Sequence, residues 1–269
     1  MRIYNKLIIA FLILSVVPTL FIGVVGFYNA KNSLEKAIIS NLNNVADEGV
    51  KEIEAFIAAR KSDMMLLQQQ NVYKATFSIL DQFSDNQSSS YYIDARKAID
   101  AQLAVFQVMY RYIDIRLVNK SGKVIYTSST GQDPELNKFI KNKEDIFEQV
   151  KNGIYVCDAV KGYGKEDSFT FCLAGSAYGR TDEVIGLIQL KFDMKEVFDR
   201  LNSNAHLGNS GEIMCAKKTS NNEAFFLSPL KDEGAAIPEK KIILGTRNAF
   251  AMQRAVLGES GSGRSTDYR

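Results

Sequence analysis

Tryptophan is missing from the chain, and histidine occurs once, at His206. A single imidazole excludes the H-E-x-x-H motif and every metal site built on two histidines. A Ser-His-Asp triad would have to use His206, in the loop-like context AHLGNSG, and no G-x-S-x-G elbow occurs. The three cysteines, Cys157, Cys172 and Cys215, form no C-x-x-C pair, and their spacing with His206 matches no zinc pattern. Gly162-Tyr163-Gly164-Lys165 lacks the full spacing of a phosphate loop and lies between two strand patterns, the position of a hairpin turn. No catalytic residue, metal or cofactor is therefore expected. A surplus of basic charge is also missing. Only Arg2 and Lys6 carry charge within residues 1–28, so beyond residue 28 there are 31 basic residues to 31 acidic ones. Nucleic acid, which needs a basic face, is not an expected partner.

What the chain does have is an apolar run over residues 7–28, LIIAFLILSVVPTLFIGVVGFY, with no charge in it. At about 1.5 Å per residue such a helix covers roughly 33 Å, enough for a hydrocarbon core of about 30 Å. Pro18 lies inside the run, which a membrane helix tolerates. A cleaved signal peptide is the alternative, but the run is longer than an ordinary signal core and Tyr28-Asn29-Ala30 makes a poor cleavage site. Arg2 and Lys6 keep residues 1–6 in the cytoplasm by the positive-inside tendency, with the remainder exported.

Beyond residue 28 the pattern changes twice. Residues 31–80 contain no proline and only Gly49, and Leu34, Ile38, Leu42, Val45, Ile53, Phe56 and Leu67 recur at helical spacing. This predicts a stalk helix that, unbroken, would be about 75 Å long. A Ser/Asp/Asn-rich loop at 84–90 separates it from a second helix, with Ile99, Leu103, Phe106 and Met109 on one side. Short alternating segments then predict a hairpin (113–118 and 124–128) and a helix from Asp133-Pro134 to near Gly153. Three strands (154–160, 168–174 and 183–192) and a short helix capped by Asp193 follow. Hairpin, helix and three antiparallel strands are the element order of a PAS-like sheet. Residues 211–217 and 224–227, with a helix over 247–257, start a similar plan and do not finish it.

The fold class expected is α+β: a transmembrane helix (7–28), stalk and second helix (29–111), a complete membrane-distal module (112–202) and a partial membrane-proximal one (203–269). The order of IDIRLVNKSGKVIYTSS, EVIGLIQLKFDMKEVFDRL, GNSGEIMCAKK, FFLSPL and AVLGESGSGRSTDYR after the anchor resembles the double Cache sensor domain of bacterial transmembrane receptors. The resemblance implies a small-molecule sensor in the inner membrane, its sensing part periplasmic or extracellular, feeding a histidine kinase, chemoreceptor or cyclic-dinucleotide enzyme outside these residues. It departs from the amino-acid-sensing members at one point. Their Arg-x-Trp-Tyr-like signature is replaced here by TGQDPELNKFIKNKEDIF, so an amino-acid ligand is not carried over. A loose counterpart of their Y-x-D element is Tyr155-Val156-Cys157-Asp158.

Four residues are candidates for ligand contact: Arg116 and Tyr126 on the first hairpin, Tyr155 and Asp158 on the next strand. Arg116 would clamp a carboxylate and Asp158 would accept from an amine. A solvated strand position for Arg116 and a core position for Tyr126 are the competing readings. Cys157 and Cys172 stand symmetrically about Gly164-Lys165, so a simple hairpin would oppose them within disulfide range. Two buried thiols are the alternative. A homodimer through the long helix is expected, with the membrane and a small-molecule ligand as further partners. A membrane-anchored envelope hydrolase and a ligand-free interaction protein are the rival functions.

Overall fold

The computed structural model describes residues 3–129, 135–161, 169–204, 207, 211–219, 221–228, 230, 241–266 and 268. Helix α1 runs from Ile3 to Gln69 without a break. Pro18 costs one backbone hydrogen bond there, and two nearby hydroxyls turn back onto the helix: Ser15 Oγ donates to Leu12 O (3.2 Å) and Thr19 Oγ1 to Ser15 O (2.8 Å). Among the described residues α1 is the one helix long and apolar enough to cross a membrane, and none of that apolar stretch is buried in the protein. Further along, Ile53, Phe56, Met64 and Leu67 enter the main core.

The stalk was expected to continue unbroken to residue 80, and it does not. Gln70 adopts an extended conformation (φ −68°, ψ 129°) and the chain restarts as α2, Asn71–Gln82. The reorientation buries Tyr73, Phe77 and Leu80, which a straight helix would carry past the sheet into water. Helix α3, Ser90–Tyr110, packs beside α2. Its buried residues are Tyr92, Ala95, Ile99 and Leu103, with Phe106 and Tyr110 half-buried against the same core, whereas Met109, expected on that line, is exposed. The step from Leu103 through Phe106 to Tyr110 keeps the helical period, and Met109 falls on another face.

Strands β1 (Asp114–Asn119), β2 (Val124–Thr127), β3 (Tyr155–Lys161), β4 (Phe169–Tyr178) and β5 (Val184–Asp193) form one antiparallel sheet in the order β2-β1-β5-β4-β3. One face, with Ile115, Leu117, Leu173, Ile188 and Leu190, packs on α1, α2 and α3. Gly186 permits this close stacking, because a Cβ there would collide with the Val118 carbonyl and with the Phe77 ring. The opposite face carries Val118, Val124, Ala174 and Leu187 under Ile146, Phe147 and Val150 of α4, Lys143–Val150. This helix is shorter than expected, and Asp133 and Pro134, its expected start, lie outside the described residues. Residues 135–142 instead bond to the hairpin edge: Asn137 N donates to Val124 O, Val124 N to Lys138 O and Ile140 N to Gly122 O. Positive φ at Asn137 and Asn142 completes those turns and blocks a continuous helix.

Helix α5, Lys195–Asn204, begins where the Asp193 carboxylate accepts from Lys195 N at 2.7 Å. A second sheet, β6-β7-β8 (Ala216–Lys218, Glu223–Phe226 and Lys241–Ile243), carries α6 (Phe250–Val256) and its own small core around Phe226, Leu230 and Met252. Residues 211–215 were expected to be strand and are not. Strand β8 was not anticipated. The two sheets meet through an edge-to-face contact of Phe169 and Phe225 and through Ile213 and Cys215, which reach the main core.

Candidate functional site

Alternation along β1 sends Ile115 and Leu117 into the helix-facing core and Asp114 and Arg116 to the other face. The ladder registers extend this into two polar rows. Thr127, Arg116, Gln189, Ala174 and Tyr155 form one; Asp114, Lys191, Cys172 and Cys157 form the next. Asp114 is 0% exposed and Arg116 2%. Burying two ions is costly unless both are satisfied, and here they are bound to each other. Arg116 Nε donates to Asp114 Oδ2 at 2.5 Å. Asp114 Oδ1 accepts from Thr127 Oγ1 (2.7 Å) and from the Ser128 and Ser129 backbone N–H groups (3.1 and 3.2 Å).

On the other side of the guanidinium, Arg116 Nη1 donates to Glu135 Oε2, which lies 3.5 Å from Lys191 Nζ. Partial burial acts to raise the Glu135 carboxyl, but the Arg116 hydrogen bond and the nearby Lys191 charge outweigh it, and its pKa is lowered. Lys191 is lowered as well, first by desolvation and then by the Arg116 charge. The result is a charged patch on an otherwise apolar sheet. It has a recessed cation, a second cation beside it and one carboxylate, Glu135, that is half exposed.

The four residues predicted from sequence do not converge. Arg116 and Tyr155 share this face, Tyr155 half-buried beside the Val150 cluster. Tyr126 pairs with Leu117 and so points the other way. It is fully buried, donates to Asp100 Oδ1 at 2.7 Å, and lies under the Arg96 guanidinium, so it belongs to the helix-facing core. Burial, then the Asp100 bond, raises its hydroxyl pKa. Asp158 falls at the bulge between Cys157 and Val160, and its side chain lies outside the described residues. Cys157 and Cys172 stand opposite each other in the ladder, as expected, and both are thiols. The Cys157 hydrogen bond and burial push the Cys172 thiol well up.

Sequence reasoning missed Asp114, Glu135, Gln189 and Lys191. Three of them had a signal: IDIRL and IQLKF each place two polar residues at alternate positions in an apolar strand, which puts both on one face. Glu135 had none, because its contact with Arg116 spans 19 residues and depends on the fold. A separate groove of about 170 Å³ between the end of α1, Gln70 and α3 is lined by residues such as Leu67, Gln102 and Phe106. It is smaller than a usual ligand pocket and no Lys, Arg, Asp or Glu lines it; a more open groove of about 400 Å³ beside α2 is lined by Phe77, Asp81 and Lys120. His206 lies outside the described residues.

The sequence matches no protein-family model and no curated protein. Among solved structures, the fold is similar to the sensor domain of the V. cholerae histidine kinase DctB. The TM-score is 0.51 at 12% identity, over 69% of this chain and 65% of that one. The chain thus spans slightly less than two thirds of that domain. It is also similar to the ligand-binding domain of the Campylobacter jejuni chemoreceptor Tlp3 in complex with 4-methylisoleucine, with a TM-score of 0.50 at 13% identity over 75% of this chain and 73% of that one. At these identities the likeness is one of fold. The double Cache resemblance seen in the sequence is met at that level, in an α+β chain with a long apolar N-terminal helix and PAS-like antiparallel sheets.

Proposed function

We propose that this chain is the extracytoplasmic sensing portion of a bacterial inner-membrane receptor, and that it binds a small polar solute on the Arg116 face of the five-stranded sheet. One observation carries the reading: a satisfied but buried ionic cluster, Asp114–Arg116, faces Lys191 and a half-exposed carboxylate on a sheet whose other face rests on α1. Charged groups recessed in an apolar setting are a device of ligand sites, since a purely structural sheet is more stable with apolar residues there. The solved structures of like fold are named as a histidine kinase sensor domain and a chemoreceptor ligand-binding domain, which supports sensing rather than catalysis.

In this reading the ligand favours one of two packings of the sheet on α1, and α1 carries the change through the membrane. A ligand can shift that balance only by its difference in affinity for the two packings. The enzymatic output, where there is one, belongs to another part of the receptor. The full chain in detergent should gain thermal stability from one or more small metabolites in a broad screen, by about 2.7 kcal/mol at a hundred times Kd. Arg116→Ala should abolish the gain. A screen without any shift, or a shift that Arg116→Ala leaves intact, would overturn the assignment of this face. A reporter fused after Ser40 should be active only if it functions outside the cytoplasm.

A further inference from the structure

Helix α3 is apolar on two faces. Tyr92, Ala95, Ile99 and Leu103 are buried in the main core. On the outer face Val105, Val108 and Met109 are 60%, 77% and 70% exposed, and Ala98 and Ala101 are exposed beside them. Residues 101–110 carry no charge at all. A helix with one face on a core and the other in water has polar residues on the outer one, so the outer face of α3 has the composition of a covered surface. Ala98, Ala101, Val105 and Val108 are spaced three, four and three residues apart, the spacing at which one helix packs along another.

We infer that this outer face of α3 is a seam that packs on the same face of a second copy of the chain. The inference uses the membrane anchoring of the reading above and not its assignment of a ligand to the Arg116 face. Orientation is the first argument. Gln102 Nε2 donates to Gln70 Oε1 just past the end of α1, and Tyr110 O accepts from Arg60 Nη1 at 3.0 Å further back, so α3 runs beside α1 in the opposite direction. Two anchored copies related by a twofold axis along the membrane normal therefore present their α3 helices parallel and in register. Charge is the second. The positions flanking the seam are Lys97 and Ala104 on one side and Gln102 and Met109 on the other, so like charges do not meet across a parallel pair. Asp94, the next seam position towards the start of α3, would face its own copy and ends the seam there. Size is the third. The exposed apolar side chains offer on the order of 400 Å² per copy, roughly 800 Å² in a pair, which is less than the ~1,200 Å² of a stable interface in free solution. That suits two copies already concentrated by one membrane better than a partner that must be captured from solution.

The test uses the purified full chain reconstituted alone in phospholipid vesicles, so that a second copy is the one protein it can meet. With the three native cysteines changed to serine, Val108→Cys should give, on oxidation, a disulfide-linked species of twice the monomer mass. Ser78→Cys, exposed on α2 away from the seam, should give at least about tenfold less, the level of random collision. Adding Val105→Glu to Val108→Cys sets two carboxylates against each other and should lower the yield by about tenfold or more. Adding Val105→Leu instead keeps the seam apolar and should leave the yield within about twofold. Both changes lie on a face that is exposed in the single copy and both residues suit a helix, so the fold is retained. Equal yields from Val108→Cys and Ser78→Cys would overturn the inference, as would a Val108→Cys yield that Val105→Glu leaves unchanged or that Val105→Leu also abolishes. The Ser40 reporter tests the anchoring separately, so a failed cross-link in a chain whose reporter is exported counts against the seam alone.

Discussion

Glu135 is held ionised by its neighbours, and this ties stability to pH with a definite sign. Its folded pKa lies below the unfolded value of about 4.3. The stabilisation it supplies is therefore fully present above that value and is lost as pH falls through the lower, folded one. The difference in thermal stability between the native chain and Glu135→Gln should be constant above about pH 5 and shrink on further acidification. A difference that grew at low pH would mean that the carboxylate is not paired. The cysteine pair obeys a different chemistry. Cys157 and Cys172 are registered opposite each other, so a bridge needs no change of ladder. Yet the raised Cys172 thiol yields little thiolate at neutral pH, and burial lifts Cys215 to about 11 as well. Spontaneous oxidation should be slow and catalysed oxidation after export should be efficient. Thiol counting on denatured, unreduced protein should find one thiol of three in exported protein and three in protein made in a reducing cytosol. Three thiols in both would remove the bridge.

At the scale of elements, α1 meets the five-stranded sheet along β4, where Gln68 Nε2 donates to Ser176 O at 2.8 Å, and again at the entry to β1. Tyr112 leads into β1 and its hydroxyl donates to Asp63 Oδ2 on α1 at 2.7 Å. Arg60 bonds the same carboxylate at 3.1 Å and also Tyr110 O at 3.0 Å, with its guanidinium between the Phe56 and Tyr112 rings. Asp114 is two residues beyond Tyr112, so a short, buried path joins the ionic face to Asp63. Tyr112→Phe should cost about 1 kcal/mol in denaturant unfolding and should weaken the coupling between ligand and α1. A variant with unchanged stability would mean that the hydroxyl bond does not hold the two elements together. The strands of the first sheet were legible because their apolar residues alternate between turn-forming clusters. The break at Gln70 was not, since nothing local forbids helix there: the turn is imposed by the burial of Tyr73, Phe77 and Leu80. Strand β8 was missed for a related reason, being only three residues long and held by its pairing with β7. The ionic face was half legible. Arg116 stood out as a cation in an apolar strand, but its partners come from β5, from the loop before α4 and from the strand's own start, and only the register assembles them.

The whole molecule poses a question of what covers the middle of α1. Its apolar run ends near Tyr28, and its side chains join the core only from about Gly49, where Leu201 of α5 and Ile213 come within 4 Å of a Cβ position. Between them, Leu34, Ile38 and Leu42 are 62%, 50% and 46% exposed and lie four residues apart, on one stripe. An apolar stripe of this kind on a helix of about 100 Å, in water, is normally covered by another helix. On the proposed anchoring, a second copy of α1 is the expected cover, because one membrane would hold both copies parallel, raise their effective concentration and fix their register. With the native cysteines changed to serine, Leu34→Cys in the full chain should form a disulfide-linked dimer in oxidised membranes. Lys36→Cys, about 200° around the helix, should cross-link much less. Equal cross-linking at both positions would indicate random collision, and none at either would leave the stripe to another partner. A shift in the Leu34→Cys cross-linking rate on adding a ligand that acts through Arg116 would tie the sheet to the apolar segment of α1, because α1 runs from that segment to the core under the sheet.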